Sequence, residues 1–164
     1  MVSKSKKILG IDPGTGRLGF GVIEINGSKI SMLDAGVITT PANTEQPDRL
    51  ETIYDELKTI INELKPEIMV VEKLFFAQNV TTAMAVAQAR GVVMLVGKQS
   101  KLEIHEYTPL QIKMGLTGYG RASKQQIQEM VRVLLGLQQI PKPDDAADAL
   151  AVALVHAHSL KTMM

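Results

Sequence analysis

The chain has 164 residues, 45% of them hydrophobic, with 18 Lys and Arg against 17 Asp and Glu and no cysteine. That length suits one domain, 1–164, with a core of its own, and the apolar content excludes an intrinsically disordered chain. Lack of cysteine excludes disulfides and thiolate metal sites and is compatible with a cytoplasmic location. The lysine-rich start has no secretory apolar stretch behind it, because Asp12-Pro13-Gly14 interrupts the run.

In chain order, Ile8-Leu9-Gly10-Ile11 predicts a buried strand that ends on Asp12, and the glycine-rich turn Pro13 to Gly16 follows. Leu18 to Ile23 returns as a second strand, and Lys29 to Ile38 reads as a third. Taken alone, this stretch favours a turn-forming role for Asp12. Pro47 to Leu64 carries apolar residues at helical spacing and is stopped by Pro66. Glu67 to Glu72 is a fourth strand, apolar enough to be buried on both faces. Val80 to Lys98 predicts a helix with almost no polar face; packing inside one chain and packing against a second copy both account for it. Gln88 and Arg90 argue against a membrane span. Leu102 to Tyr107 is a fifth strand. Thr108-Pro109-Leu110-Gln111 and Ser123-Lys124-Gln125-Gln126 are capping-box helix starts, and Pro143-Asp144 opens a last helix to about Leu160. A strand meander followed by strand–helix alternation predicts an α/β fold, a mixed sheet with helices on both faces.

The acids carry the chemistry. Glu72 ends the fourth strand as Asp12 ends the first, and α/β proteins build sites at strand ends. In Asp144-Asp145-Ala146-Ala147-Asp148, spacings of three and four let Asp148 share a helix face with Asp145 or with Asp144. A capping role accounts for Asp144 but leaves Asp148 unexplained, and the alanines permit close packing on the sheet. Converging carboxylates repel by about 4 kcal/mol per pair near 4 Å at an effective dielectric of ~20, so they need protons or hard divalent cations. Oxygen ligands favour magnesium or manganese over zinc. Setting Asp12, Glu72, Asp145 and Asp148 aside from the 17 leaves 13 against 18 basic residues, a balance suited to a polyanion once metal is bound. His105, His156 and His158 share no helix face in sequence and carry no ligand assignment.

Gly-Ile-Asp-Pro-Gly at 10–14, Val-Val-Glu-Lys-Leu-Phe-Phe at 70–76, Gln-Ala-Arg-Gly at 88–91 and Asp-Ala-Ala-Asp-Ala-Leu at 145–150 occur in order. Together they resemble the RuvC family of Holliday junction resolvases, in the RNase H-like superfamily, over nearly the whole chain. The resemblance implies an RNase H-like five-stranded sheet. It implies Asp12, Glu72, Asp145 and Asp148 as catalytic, metal-holding acids, with Asp144 outside the motif. It further implies two Mg2+ ions per site, with Mn2+ as a substitute, and a homodimer that nicks two opposed strands of a four-way DNA junction. The products would carry 5′-phosphate and 3′-hydroxyl ends. A branch-migration motor, RuvA and RuvB, is the implied partner. Phe75 falls at the family's base-stacking aromatic, and Lys113 and Lys124 at its DNA-contact positions. Arg121 joins them in a glycine-rich basic segment, read here as a loop from Met114 to Ala122, while Arg90 reads as structural. Other readings of the same motifs are an ATP-binding domain of the sugar-kinase, Hsp70 and actin type, a non-catalytic junction-binding module, and an RNase H-like nuclease with other substrates.

Overall fold

The computed structural model describes residues 4–14, 16–73 and 80–163. Its elements are strands β1 (Lys6–Asp12), β2 (Arg17–Asn26) and β3 (Lys29–Thr39), helix α1 (Gln46–Leu64), β4 (Ile68–Glu72), α2 (Val80–Gln99), β5 (Glu103–Tyr107), α3 (Pro109–Thr117), α4 (Lys124–Leu134) and α5 (Asp144–Thr162). This is the element order that hydrophobic periodicity predicts. The strands form one sheet in the order β3-β2-β1-β4-β5. β1 runs antiparallel to β2 but parallel to β4, and β4 is parallel to β5. The sheet is therefore mixed.

Alternation along β1 and β4 assigns each residue to a face. Leu9, Ile11, Met69 and Val71 point into a core closed by α1 and α2, through Ile53, Leu57, Val93 and Val96. Ile8, Ile68 and Val70 point into a second core, closed by α3, α4 and α5. Asp12 and Glu72 share the parity of Ile8 and Ile68, so both carboxylates belong to the α5 face. The parallel register pairs Ile11 with Val71, which sets Asp12 beside Glu72 one residue further on.

One sequence expectation changes here. The stretch from Met114 to Ala122 is not all loop, because α3 continues to Thr117. The Thr108 capping box starts it, Gly118 closes it in the left-handed region at φ 71°, and Ile112 and Leu116 are buried beneath. Gly115, which suggests a loop in sequence, lies where a Cβ would come 3.1 Å from Val155. Small size, not turn formation, is what that glycine contributes.

Candidate active site

The site forms where β1 and β4 end and α5 begins. Helix α5 lies almost directly on the sheet because the strands beneath it present glycines. A Cβ on Gly10 would fall 2.0 Å from the Ala149 carbonyl oxygen, and one on Gly19 would fall 2.0 Å from that of Asp145. Gly19 is also the cross-strand partner of Asp12. On the helix side, Ala149 and Ala153 meet Gly10, and Ala146 and Ala147 are buried as well. Without side chains between the two backbones, the first turns of α5 descend to the level of Asp12.

As a result, carboxylate oxygens of Asp12, Asp145 and Asp148 lie within 4.8 Å of one another. Glu72 shares a hydrogen bond with Asp12 but stands outside that mutually close set. Burial pushes the Asp12 carboxyl up to about 9, helped by repulsion from Glu72, its hydrogen bond, and the charges of Asp148 and Asp145. Burial likewise raises Glu72, against the opposing hydrogen bond from Asp12. Asp148 is raised by burial although the Lys124 ammonium works the other way. Three partly buried acids without thiolate or imidazole among them match a hard divalent cation, and the raised carboxyls show what such a cation would relieve.

A cleft of about 220 Å³ adjoins these acids, lined by Glu72, Asp148, Lys113 and Lys124 with apolar walls that include Pro109 and Ile127. Lys113 reaches it from α3, in the second turn after the Thr108 cap. Lys124 opens α4 at the first position after the Ser123 capping box. Its Nζ lies 3.5 Å from Asp148 Oδ2 and 3.6 Å from Asp144 Oδ2. The capping expectation for Asp144 is thereby corrected: Pro143 occupies the N-cap, no side chain bonds there, and Asp144 pairs with Lys124 instead. Arg121 sits exposed in the turn before α4 and is not among the residues lining the cleft. Phe75 lies outside the described residues. Arg90 pairs with Glu106 across α2 and β5, a structural role. His105 and His156 stack with ring centres 4.1 Å apart, and neither belongs to the acidic set. The glycines at 10, 19 and 21 on the paired strands β1 and β2 are the sequence signal for this close approach, one that motif spacing does not carry.

A five-stranded mixed sheet with acids gathered over the ends of β1 and β4 defines the class: an RNase H-like α/β nuclease with a metal-dependent acidic centre. The profile of crossover junction endodeoxyribonuclease RuvC matches residues 8–156. A crossover junction endodeoxyribonuclease RuvC from Heliobacterium modesticaldum is 56% identical over 153 residues, 93% of this chain and 94% of the relative. The solved structure of Thermus thermophilus RuvC in complex with a Holliday junction substrate superposes with a TM-score of 0.91 at 33% identity, covering 96% of each chain. The yeast mitochondrial Holliday junction resolvase Ydc2, at 14% identity and a TM-score of 0.67, shares the fold. The chain belongs to the RuvC family of crossover junction endodeoxyribonucleases.

Proposed function

We propose that this protein resolves four-way DNA junctions by paired, symmetric hydrolysis of two opposed strands, leaving 5′-phosphate and 3′-hydroxyl ends. The observation that carries the reading is the meeting of Asp12, Asp145 and Asp148, from distant parts of the chain, within 4.8 Å. Family membership supplies the substrate class: the Thermus thermophilus relative is known in complex with a Holliday junction.

Asp12, Asp145 and Asp148, with Glu72 at their edge, would hold two Mg2+ ions, for which Mn2+ can substitute. When bound, such ions supply Lewis acidity to the attacking water and to the leaving 3′ oxygen. The carboxylates would fix where that charge sits, and Lys113 and Lys124 would hold the phosphodiester so that water attacks in line. The new bond joins water oxygen to phosphorus, and the bond to the 3′ oxygen breaks. Lys113 and Lys124, both lining the cleft beside these acids, bind the phosphate backbone. Arg121 adds an exposed cation in the neighbouring turn, and Phe75 stacks on an unpaired base near the crossover.

Two matched cuts call for a two-fold dimer. Helix α2 supports one: Val80, Met84 and Leu95 lie along one helical stripe with Ala87 and Gly91, all exposed, while its opposite side packs Ala89, Val93 and Val96 into the core. The helix is long and apolar enough to cross a membrane by composition alone, but a second copy of the same stripe is the occupant that a paired nuclease needs. The dimer would meet the RuvA and RuvB branch-migration motor on the junction.

Incubation with four-way junction, linear duplex and RNA–DNA hybrid, each with Mg2+ or EDTA, tests the reading. Paired nicks in the junction alone, only with Mg2+, are expected. Asp12→Asn should lower cleavage by about 10³-fold or more while junction binding persists. Wild-type nicking by that variant would remove the acidic centre from the reaction.

A further inference from the structure

The acidic centre has a fifth carboxylate neighbour, Asp144, with no part in the chemistry described above. It stands at the first position of α5 without capping the helix. Its Oδ2 lies 3.6 Å from Lys124 Nζ, an ammonium that Asp148 Oδ2 also approaches at 3.5 Å. One cation at the start of α4 is therefore shared between an acid of the metal-binding set and an acid outside it. Lys124 and Asp144 are each about half exposed, so the pair is weak and can be remade without a large penalty.

That sharing matters when divalent cations enter. Ions held by Asp12, Asp145 and Asp148 neutralise Asp148 and repel an ammonium only a few ångströms away. Glu72, whose charge also reaches Lys124 across the cleft, is drawn to the same ions, so Asp144 is the ion-pair partner left to Lys124 on the rim among the described residues. Without it, the side chain would be driven toward solvent and away from the strand it should contact. We propose that Asp144 is a positioning residue, retaining Lys124 at the phosphate-binding cleft once the acidic centre is loaded with metal. The proposal rests on the reading of Lys124 as a phosphate contact.

Junction affinity of wild type, Asp144→Asn, Asp144→Glu, Lys124→Met and the Asp144→Asn/Lys124→Met double variant, each in Ca2+ and in EDTA, separates the possibilities. Ca2+ serves as a hard oxygen-seeking probe. Asp144→Asn should weaken junction binding about three- to fivefold in Ca2+, and by less than about twofold in EDTA, where Asp148 still holds Lys124. In the Lys124→Met background the same change should do nothing, and Asp144→Glu should restore the loss. An equal loss in the Lys124→Met background would overturn the proposal and make Asp144 an ion ligand. Unchanged or tighter binding in Ca2+, even with a lowered melting temperature, would overturn it in favour of a helix-end charge. Junction cleavage by the wild type in Mg2+ is measured alongside; its absence would sink the nuclease reading itself, a failure distinct from any pattern among the variants.

Discussion

Asp12 is where local chemistry is under most tension. Its carboxyl, raised to about 9 by burial and by the neighbouring acids, holds a proton in the folded, ion-free chain that an unfolded aspartate would release near 3.8. Between those values the folded state binds more protons than the unfolded one, so ion-free stability should fall as pH rises. Divalent metal removes the penalty and displaces the proton. Calorimetry should record proton release on Mg2+ addition near pH 7.5, with affinity and melting temperature both rising with pH in the presence of metal. His156 runs the opposite way. It is 3% exposed, meets the Tyr107 hydroxyl through Nδ1 at 2.9 Å, and is pushed down to about 4, chiefly by burial and secondarily by His105. The unfolded chain takes up that proton near 6.5, so this contribution is present at neutral pH and is lost as pH falls from about 6.5 to about 4. In denaturant titrations, the advantage of wild type over His156→Gln should shrink by about 2 kcal/mol between pH 7 and pH 4.5.

Among the elements, α5 matters most because it carries two of the acids and packs on the glycines of β1 and β2. A methyl group at Gly19 would meet the Asp145 carbonyl oxygen at 2.0 Å, and backbone on both sides leaves no flexible side chain to yield. Gly19→Ala should cost about 1–3 kcal/mol of stability by overpacking. It should also lift the start of α5 and reduce Mg2+-dependent cleavage by more than about tenfold. Cleavage at the wild-type rate with normal metal affinity would show that close approach of α5 is unnecessary. Helix α3 shows how a small residue can mislead. Gly115, Gly118 and Gly120 suggest irregular backbone, but a cap at Thr108 and buried Ile112 and Leu116 keep the helix to Thr117. Lys113 therefore projects from a rigid element and not from a loop, which favours a fixed phosphate contact.

For the whole molecule, the proposed pairing of two active centres is the property to test. Leu95, half exposed on the α2 stripe with Met84 and Val80, is the residue where a buried charge should separate two copies. Leu95→Asp should sediment as a monomer at micromolar concentration and should convert paired cuts into uncoordinated single nicks. A dimer that persists would move the interface elsewhere. Because α2 buries only its Ala89, Val93 and Val96 side, the substitution leaves the core of the chain intact, and melting temperature should change little.

The sequence alone determined the order of the elements, the helix caps at Thr108 and Ser123, and the strand-end placement of Asp12 and Glu72, because periodicity and capping act over a few residues. Motif order was enough to point to the RuvC family. Tertiary structure decided what those local rules cannot reach. Backbone contact between α5 and the glycines of β1 and β2 brought Asp145 and Asp148 to Asp12, left Glu72 at the edge of the set, and turned Asp144 toward Lys124. Such distances depend on how closely two distant backbones can approach, and that is fixed only when the sheet and helix pack together.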